Sequence, residues 1–294
     1  MKKLKALTLT FLLSFSLTAC GSADNAGSDA KDNAGSSNET VSDNADNTDT
    51  KSDSDAEDES GSDMEYVKEK GTLVVGVTDF EPMDYTDENG DWIGFDADMA
   101  KAFAKSLGVT AEFIEIDWDN KIMELDGKTI DCVWDGMTLT DEVTSSMECS
   151  NAYCNNAQVV VLPNKLADKY QDADSLTDLS FAVETGSAGE AQASEHNLTY
   201  TSVKDQASAL MEVASGTSDA AIIDSLMADA MVGEGTGYTD LTHTVALNSE
   251  EYGVGFRKGS DLAASLNTFF EDGYADGSIE KTAKKYGVQA ALVK

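Results

Sequence analysis

Positive charge is the scarcest thing in this sequence. Its 294 residues contain one arginine, Arg257, and 20 basic residues in all against 55 acidic ones, a formal charge of −35. Such a balance excludes nucleic acid as a partner, since no basic stripe is available to displace counterions from phosphate. It equally excludes docking on anionic lipid through surface charge. Proline is nearly absent too (Pro82 and Pro163), and four cysteines in so long a chain are no disulfide scaffold. The two histidines, His196 and His243, have no cysteine or carboxylate at metal-ligand spacing. The segment around Tyr85, Asp87, Asn89 and Gly90 has tyrosine at the first ligand position of a calcium loop, and Asn89-Gly90 reads better as a hairpin turn. There is no phosphate loop and no Gly-x-Ser-x-Gly elbow. No metal and no cofactor is expected.

What is present divides into three regions. Residues 1–20 carry Lys2, Lys3 and Lys5 ahead of an apolar stretch at 6–17, too short to span a bilayer. That stretch ends Leu17-Thr18-Ala19-Cys20, which resembles a bacterial lipobox and makes Cys20 the expected lipidated N-terminus of an anchored, extracytoplasmic protein. Residues 21–63 hold 13 acids, two lysines and no aromatic residue. They cannot bury enough apolar surface to offset the entropy of ordering, so a disordered tether is expected.

Periodic structure begins after the tether. The spacing predicts a buried strand at 72–77 and a helix capped by Asp96 with Met99, Phe103 and Leu107 inward and Gly108 as its stop. Further strands are expected at 111–116 and 130–134, with a short helix at 121–125. The pattern restarts with a strand at 180–184, a helix at 188–195, a helix at 204–215 with Ala207, Leu210, Met211 and Ala214 inward, and a strand at 219–223. This alternation implies βαβ units. An internal echo runs through it. A glycine at a helix end precedes a buried strand whose carboxyl end presents an acid, Asp135 in the first half and Asp224 in the second. Ligands of open α/β sheets bind outside such strand ends, so the two acids are expected to share a cleft. Cys132 should pack inside its strand as a small hydrophobe. For Cys149 and Cys154 a small-loop disulfide and free thiols both fit.

Five blocks, in order, resemble the type II periplasmic solute-binding proteins, in particular bacterial extracellular solute-binding family 3, the polar amino-acid branch serving ABC importers. They are KGTLVVGV at 70–77, NGDWIGFDADM at 89–99, IDCVWDGMTLT at 130–140, SGTSDAAIID at 215–224, and YGVGFRKG at 252–259 followed by DGS at 276–278 and KKYG at 284–287. The resemblance covers about residues 66–288. It implies a two-lobed α/β fold, each lobe a mostly parallel sheet flanked by helices. Lobe 1 would comprise 65–158 and 251–294, and lobe 2 residues 159–250, joined by crossovers near 157–163 and 249–256. It further implies a monomer that captures a small polar amino acid or amine and delivers it to an ABC permease, with no reaction of its own.

Carried over residue by residue, the resemblance makes Phe80 and Trp118 walls of the ligand site, although both also fit simple core packing. Gly136 and Thr138 would meet the ligand from the first-lobe turn. Gly186 and Ser187 would do so from an anion-binding turn at a helix start, a reading compatible with Ser187 as an N-cap. Asp224 would pair with the ligand's α-ammonium. One departure stands out. The family's Thr-x-x-Arg, whose arginine clamps the ligand carboxylate, reads Thr140-Asp141-Glu142-Val143 here, and Asp135 stands where an uncharged residue is common. Losing one partner of a buried charge pair costs about 2–5 kcal/mol. Asp135, Asp224 and Glu184 would then make a cleft hostile to carboxylate and favourable to a cation. The alternatives are a lysine such as Lys121 reaching in, or lost binding. Two rivals share the scaffold: a periplasmic dehydratase of cyclohexadienyl acids, and a ligand-sensing subunit of a membrane receptor.

Overall fold

The structure is a computed structural model that describes residues 62–293. The expected export signal, Cys20 and the tether as far as residue 61 lie outside the described residues. Ser62 and Asp63, the last two residues assigned to the tether, belong to the folded body. The Ser62 hydroxyl caps helix Asp63–Lys70 by accepting the Glu65 N–H at 3.1 Å. Asp63 binds Arg257 Nε at 3.0 Å, giving the one guanidinium a carboxylate partner.

Two five-stranded sheets organise the body. The first runs in the order Thr110–Glu115, Thr72–Val77, Cys132–Val133, Gly255–Phe256, Glu148–Cys149. The second runs Thr199–Val203, Ser180–Glu184, Ala220–Asp224, Gln158–Pro163, Leu241–Ala246. In each, three parallel neighbours continue into antiparallel returning strands. Between the sheets the chain passes as a short antiparallel ribbon, Cys154–Asn156 against Glu250–Tyr252. The strand Gln158–Pro163 lies wholly within the second sheet, so the first passage sits before it rather than along 157–163.

Both halves repeat one device at the start of their parallel strands. Asp131 accepts the Val74 N–H at 2.8 Å, and Asp219 accepts the Ser180 N–H at 3.0 Å. Each acid thereby ties the foot of one strand to its neighbour. Ladder pairing is confined to Cys132–Val133 where a strand over 130–134 was expected, although the Asp131 N–H still donates to the Val74 carbonyl at 2.7 Å. Arg257 completes the first of these feet, donating to the Ile130 carbonyl at 2.8 Å and Asp131 Oδ1 at 3.2 Å while 8% exposed.

Two helices differ from expectation. Helix Phe95–Leu107 opens at Gly94, whose φ of +131° and close approach to the Met83 carbonyl admit no side chain. Asp96 therefore lies inside the first turn, fully buried, and is not a cap. The second is helix Gln206–Ser215, which opens at Asp205, whose carboxylate accepts the Ser208 N–H at 2.7 Å. That start turns Gln206, Ala209, Leu210 and Val213 inward and leaves Met211 55% exposed, one residue out of register with the expected stripe. Cys149 and Cys154 are free thiols on different strands, and Cys132 is buried in its strand as expected.

Candidate functional site

The carboxyl ends of four parallel strands, two from each sheet, meet around one cavity of about 250 Å³. This is where open α/β sheets place ligands, because the strand ends leave backbone and side-chain groups unpaired there. The first sheet supplies Thr78 and Phe80 after Thr72–Val77, and the segment from Asp135 to Val143 after Cys132–Val133. The second supplies Glu184, Gly186 and Ser187 after Ser180–Glu184, and Asp224 at the end of its strand. Trp118 and Lys121 close a side. All eight residues singled out in the sequence, Phe80, Trp118, Asp135, Gly136, Thr138, Gly186, Ser187 and Asp224, line this single cavity.

Local backbone explains two of these positions. Gly136 has φ +54°, and a Cβ there would lie 2.4 Å from the Phe80 ring. Gly186 has φ +70°, and a Cβ would meet Asp119 at 2.7 Å. The turn after the second sheet's strand thus presses directly on the loop before Lys121. The ammonium of Lys121 crosses the same gap, donating to the carbonyls of Trp118 and Gly186, both at 3.1 Å. Lys204 pairs with Glu115 farther out along that boundary.

Carboxyl groups outnumber the one basic group among the described lining residues. Asp135 Oδ2 accepts the Thr78 N–H at 2.8 Å and the Thr78 hydroxyl at 2.7 Å. The Asp84 carboxyl lies beside it, close enough to share a proton, and has no exposed surface. Burial pushes Asp135 up to about 8, and burial together with the charge of Asp135 holds Asp84 well above the usual carboxylate range. Asp96 stands behind them, raised to about 7 by burial although it accepts the Gly136 N–H at 2.8 Å and the Tyr153 hydroxyl at 2.6 Å.

Across the cavity, Asp224 Oδ1 accepts from Tyr252 Oη at 2.6 Å, Gln158 Nε2 at 3.1 Å and Asn156 Nδ2, while Gln206 Nε2 donates to Oδ2. Burial and then the charge of Glu250 raise it to about 7. Glu184 is shifted well upward by burial and by Asp135 and Asp224, and its Oε1 has no hydrogen-bond partner. Among the described residues no side-chain cation forms an ion pair with these acids. Lys121 is the one described basic side chain along the cavity wall, and burial lowers its pKa. Arg257 is pinned at the foot of the first sheet, and Val143 presents an isopropyl group to the cavity. The formal negative charge is consequently tempered by bound protons at neutral pH, a correction to the simple count of acids.

The model of the bacterial extracellular solute-binding proteins, family 3, matches residues 73–289. The chain belongs to this family. The Arginine-binding extracellular protein ArtP of Bacillus subtilis (strain 168) is 29% identical over 295 residues, spanning 97% of this chain and 98% of its own. An ABC uptake transporter substrate binding protein from Streptococcus pneumoniae, solved with bound histidine, superposes with a TM-score of 0.74 at 28% identity, covering 80% of this chain and 100% of that one. The ancestral amino acid-binding protein AncCDT-1, a precursor of cyclohexadienyl dehydratase, gives a TM-score of 0.70 at 31% identity, covering 76% and 98%. The two sheets are the lobes of the type II periplasmic-binding-protein fold that such family members share.

Several residues of this candidate site were not legible in the sequence. Asp84 precedes a two-residue strand with no motif around it, and Asn156, Gln158 and Gln206 are isolated amides whose convergence on Asp224 needs the fold. Thr78 had a usable signal, since it directly follows the first buried strand. Among the described residues no three His, Cys, Asp or Glu side chains are arranged to hold a metal ion. No described helix is long and apolar enough to cross a membrane.

Proposed function

We propose that this solute-binding protein works as a lipid-anchored, extracytoplasmic receptor that encloses a small cationic nitrogenous solute, a basic amino acid or an amine, and passes it to an ABC permease. The observation that carries the reading is the meeting of Asp135 and Glu184 with Asp224 around one cavity that holds a single ammonium and no guanidinium. A buried cation would find acids that pair with it as they release their protons, whereas a buried anion would have Lys121 as its one described counter-charge. Relatives whose names or titles specify arginine or histidine support the basic class of solute. Affinity in this scheme comes from enclosure and charge pairing, with no covalent step. The eight cavity residues would contact the solute directly. Residues 65–158 with 251–294 and residues 159–250 would move as the two bodies, and Cys20 would carry the anchor.

Mass spectrometry of the small molecule that co-purifies with the full-length chain tests the proposal. A basic amino acid or an amine is expected, and an acidic or neutral metabolite would contradict it. A dehydratase reading draws on the likeness to AncCDT-1. Such an enzyme must hold a dicarboxylate, for which this cavity offers only Lys121, and turnover of cyclohexadienyl acids would be its signature.

A further inference from the structure

The facing glycine N–H groups and several side-chain donors around the cavity are bound to the protein's own acceptors, which says something about the solute's acceptors as well as its charge. The two turns that face each other present glycine N–H groups, and both are occupied. Gly136 N–H donates to Asp96 Oδ2 at 2.8 Å. Gly186 N–H donates to Glu190 Oε2 at 2.7 Å, and the other oxygen of Glu190 is fixed by the Ser202 hydroxyl at 2.6 Å. Ser187 completes a reciprocal cap, its hydroxyl accepting the Glu190 N–H at 3.1 Å. A helix start that could have received an anion from outside therefore holds an internal carboxylate.

Side-chain donors are used in the same way. Thr78 donates to Asp135, Thr138 to Glu250 at 3.0 Å, Gln206 to Asp224, and Lys121 to two carbonyls. Acceptors are in surplus. Glu184 Oε1 and Asp135 Oδ1 have no hydrogen-bond partner among the described residues, and Asp224 Oδ2 accepts only from Gln206. A solute carboxylate would have to compete with Asp96 or Glu190 for a glycine N–H, crowd Lys121 beside Asp141 and Glu142, or rely on the Thr140 and Ser187 hydroxyls and on protons held by the acids themselves. Leaving an acceptor buried without a donor costs affinity.

We propose that the solute of this cavity carries no carboxylate: it is a donor-only cation, a primary amine, diamine or guanidine, whose N–H groups are shared between the acids of the two lobes. The inference rests on the reading of the cavity as a cation site and narrows it.

Matched pairs that differ by one carboxylate test it: lysine against cadaverine, and arginine against agmatine, titrated calorimetrically into the full-length chain at neutral pH. In each pair that binds, the decarboxylated member is expected to bind at least ten-fold tighter. Equal or tighter binding of the amino acid would overturn this inference while leaving the cation site intact. Binding of neither member in either pair would overturn both. Val143→Arg places a guanidinium at the cavity wall and Glu190→Ala frees the Gly186 N–H. Each is expected to swing the amine-to-amino-acid preference toward the amino acid by several-fold. An unchanged preference in both folded variants would contradict the donor inventory.

Discussion

At the scale of single residues, the cavity acids differ in how they are held, and that difference predicts distinct phenotypes. Asp224 collects four donors from Tyr252, Gln158, Asn156 and Gln206, so its position is fixed before any solute arrives. Asp224→Asn keeps the shape and removes the charge. It is expected to weaken binding of a cationic solute by about 30-fold or more, the loss of about 2 kcal/mol or above from a buried pair, as read by calorimetry. Asp135, Asp96 and Asp224 have folded-state pKa values raised to about 8, 7 and 7, against an unfolded carboxyl near 3.9. For such groups the folded state binds more protons than the unfolded one. Their contribution to stability is full below the unfolded value and is lost as pH rises toward 7–8. The unfolding temperature of the solute-free protein should therefore fall between pH 5 and pH 8. Asp135→Asn should flatten that slope, and an unaltered slope would show that this carboxyl does not hold its proton.

At the scale of elements, stability and binding separate. Arg257 serves only the foot of the first sheet, bound to Asp63, Asp131 and the Ile130 carbonyl. Arg257→Met would leave Asp131 buried with Lys70 alone and is expected to cost about 3–5 kcal/mol of stability. The protein that remains folded should bind solute with unchanged affinity, which chemical denaturation and calorimetry together would check. Gly136 illustrates the opposite case. Its φ of +54° and the Phe80 ring 2.4 Å from a notional Cβ make Gly136→Ala both strained and misshapen, a loss of about 1–3 kcal/mol accompanied by weaker binding.

The same scale shows what the sequence could disclose. Strands Thr72–Val77, Ser180–Glu184 and Ala220–Asp224 were readable because each is a continuous apolar run that gives way to a polar residue: Thr78, Glu184 and Asp224. The acids at their ends were readable because a strand end is a fixed landmark. Helix Gln206–Ser215 was assigned the wrong inward face, since Ala207, Met211 and Ala214 are as apolar as the residues actually buried. Only the Asp205 cap decides the register there. Asp96 was misassigned because an acid beside a helix start resembles a cap, whereas the φ of Gly94 sends it inward. The proton-sharing pair Asp84 and Asp135 joins residues 51 positions apart in sequence, a proximity that no local pattern encodes.

At the scale of the whole molecule, polar contacts between the lobes include Lys121 to the Gly186 carbonyl, Lys204 to Glu115, Tyr252 to Asp224, and Thr138 to Glu250 at the ribbon. The ribbon is two short strands, and its amide and acid layer of Asn156, Gln158 and Glu250 ties it to Asp224. A solute that pairs with acids from both lobes adds contacts across this boundary and so favours the closed arrangement. Hydrogen exchange should accordingly slow at 184–188 and 118–121 when solute is added, with little change at the foot of the first sheet.

The central claim is that opposing carboxyls from the two lobes receive a cation. Thermal unfolding of the full-length chain in the presence of cadaverine, lysine, arginine and glutamate tests it most directly. A solute at 100 times its Kd stabilises by about 2.7 kcal/mol, a rise of about 5–10 °C for a body of this size. Such a rise is expected with at least one of the three cations and none with glutamate. A rise with glutamate and none with the cations would contradict the claim.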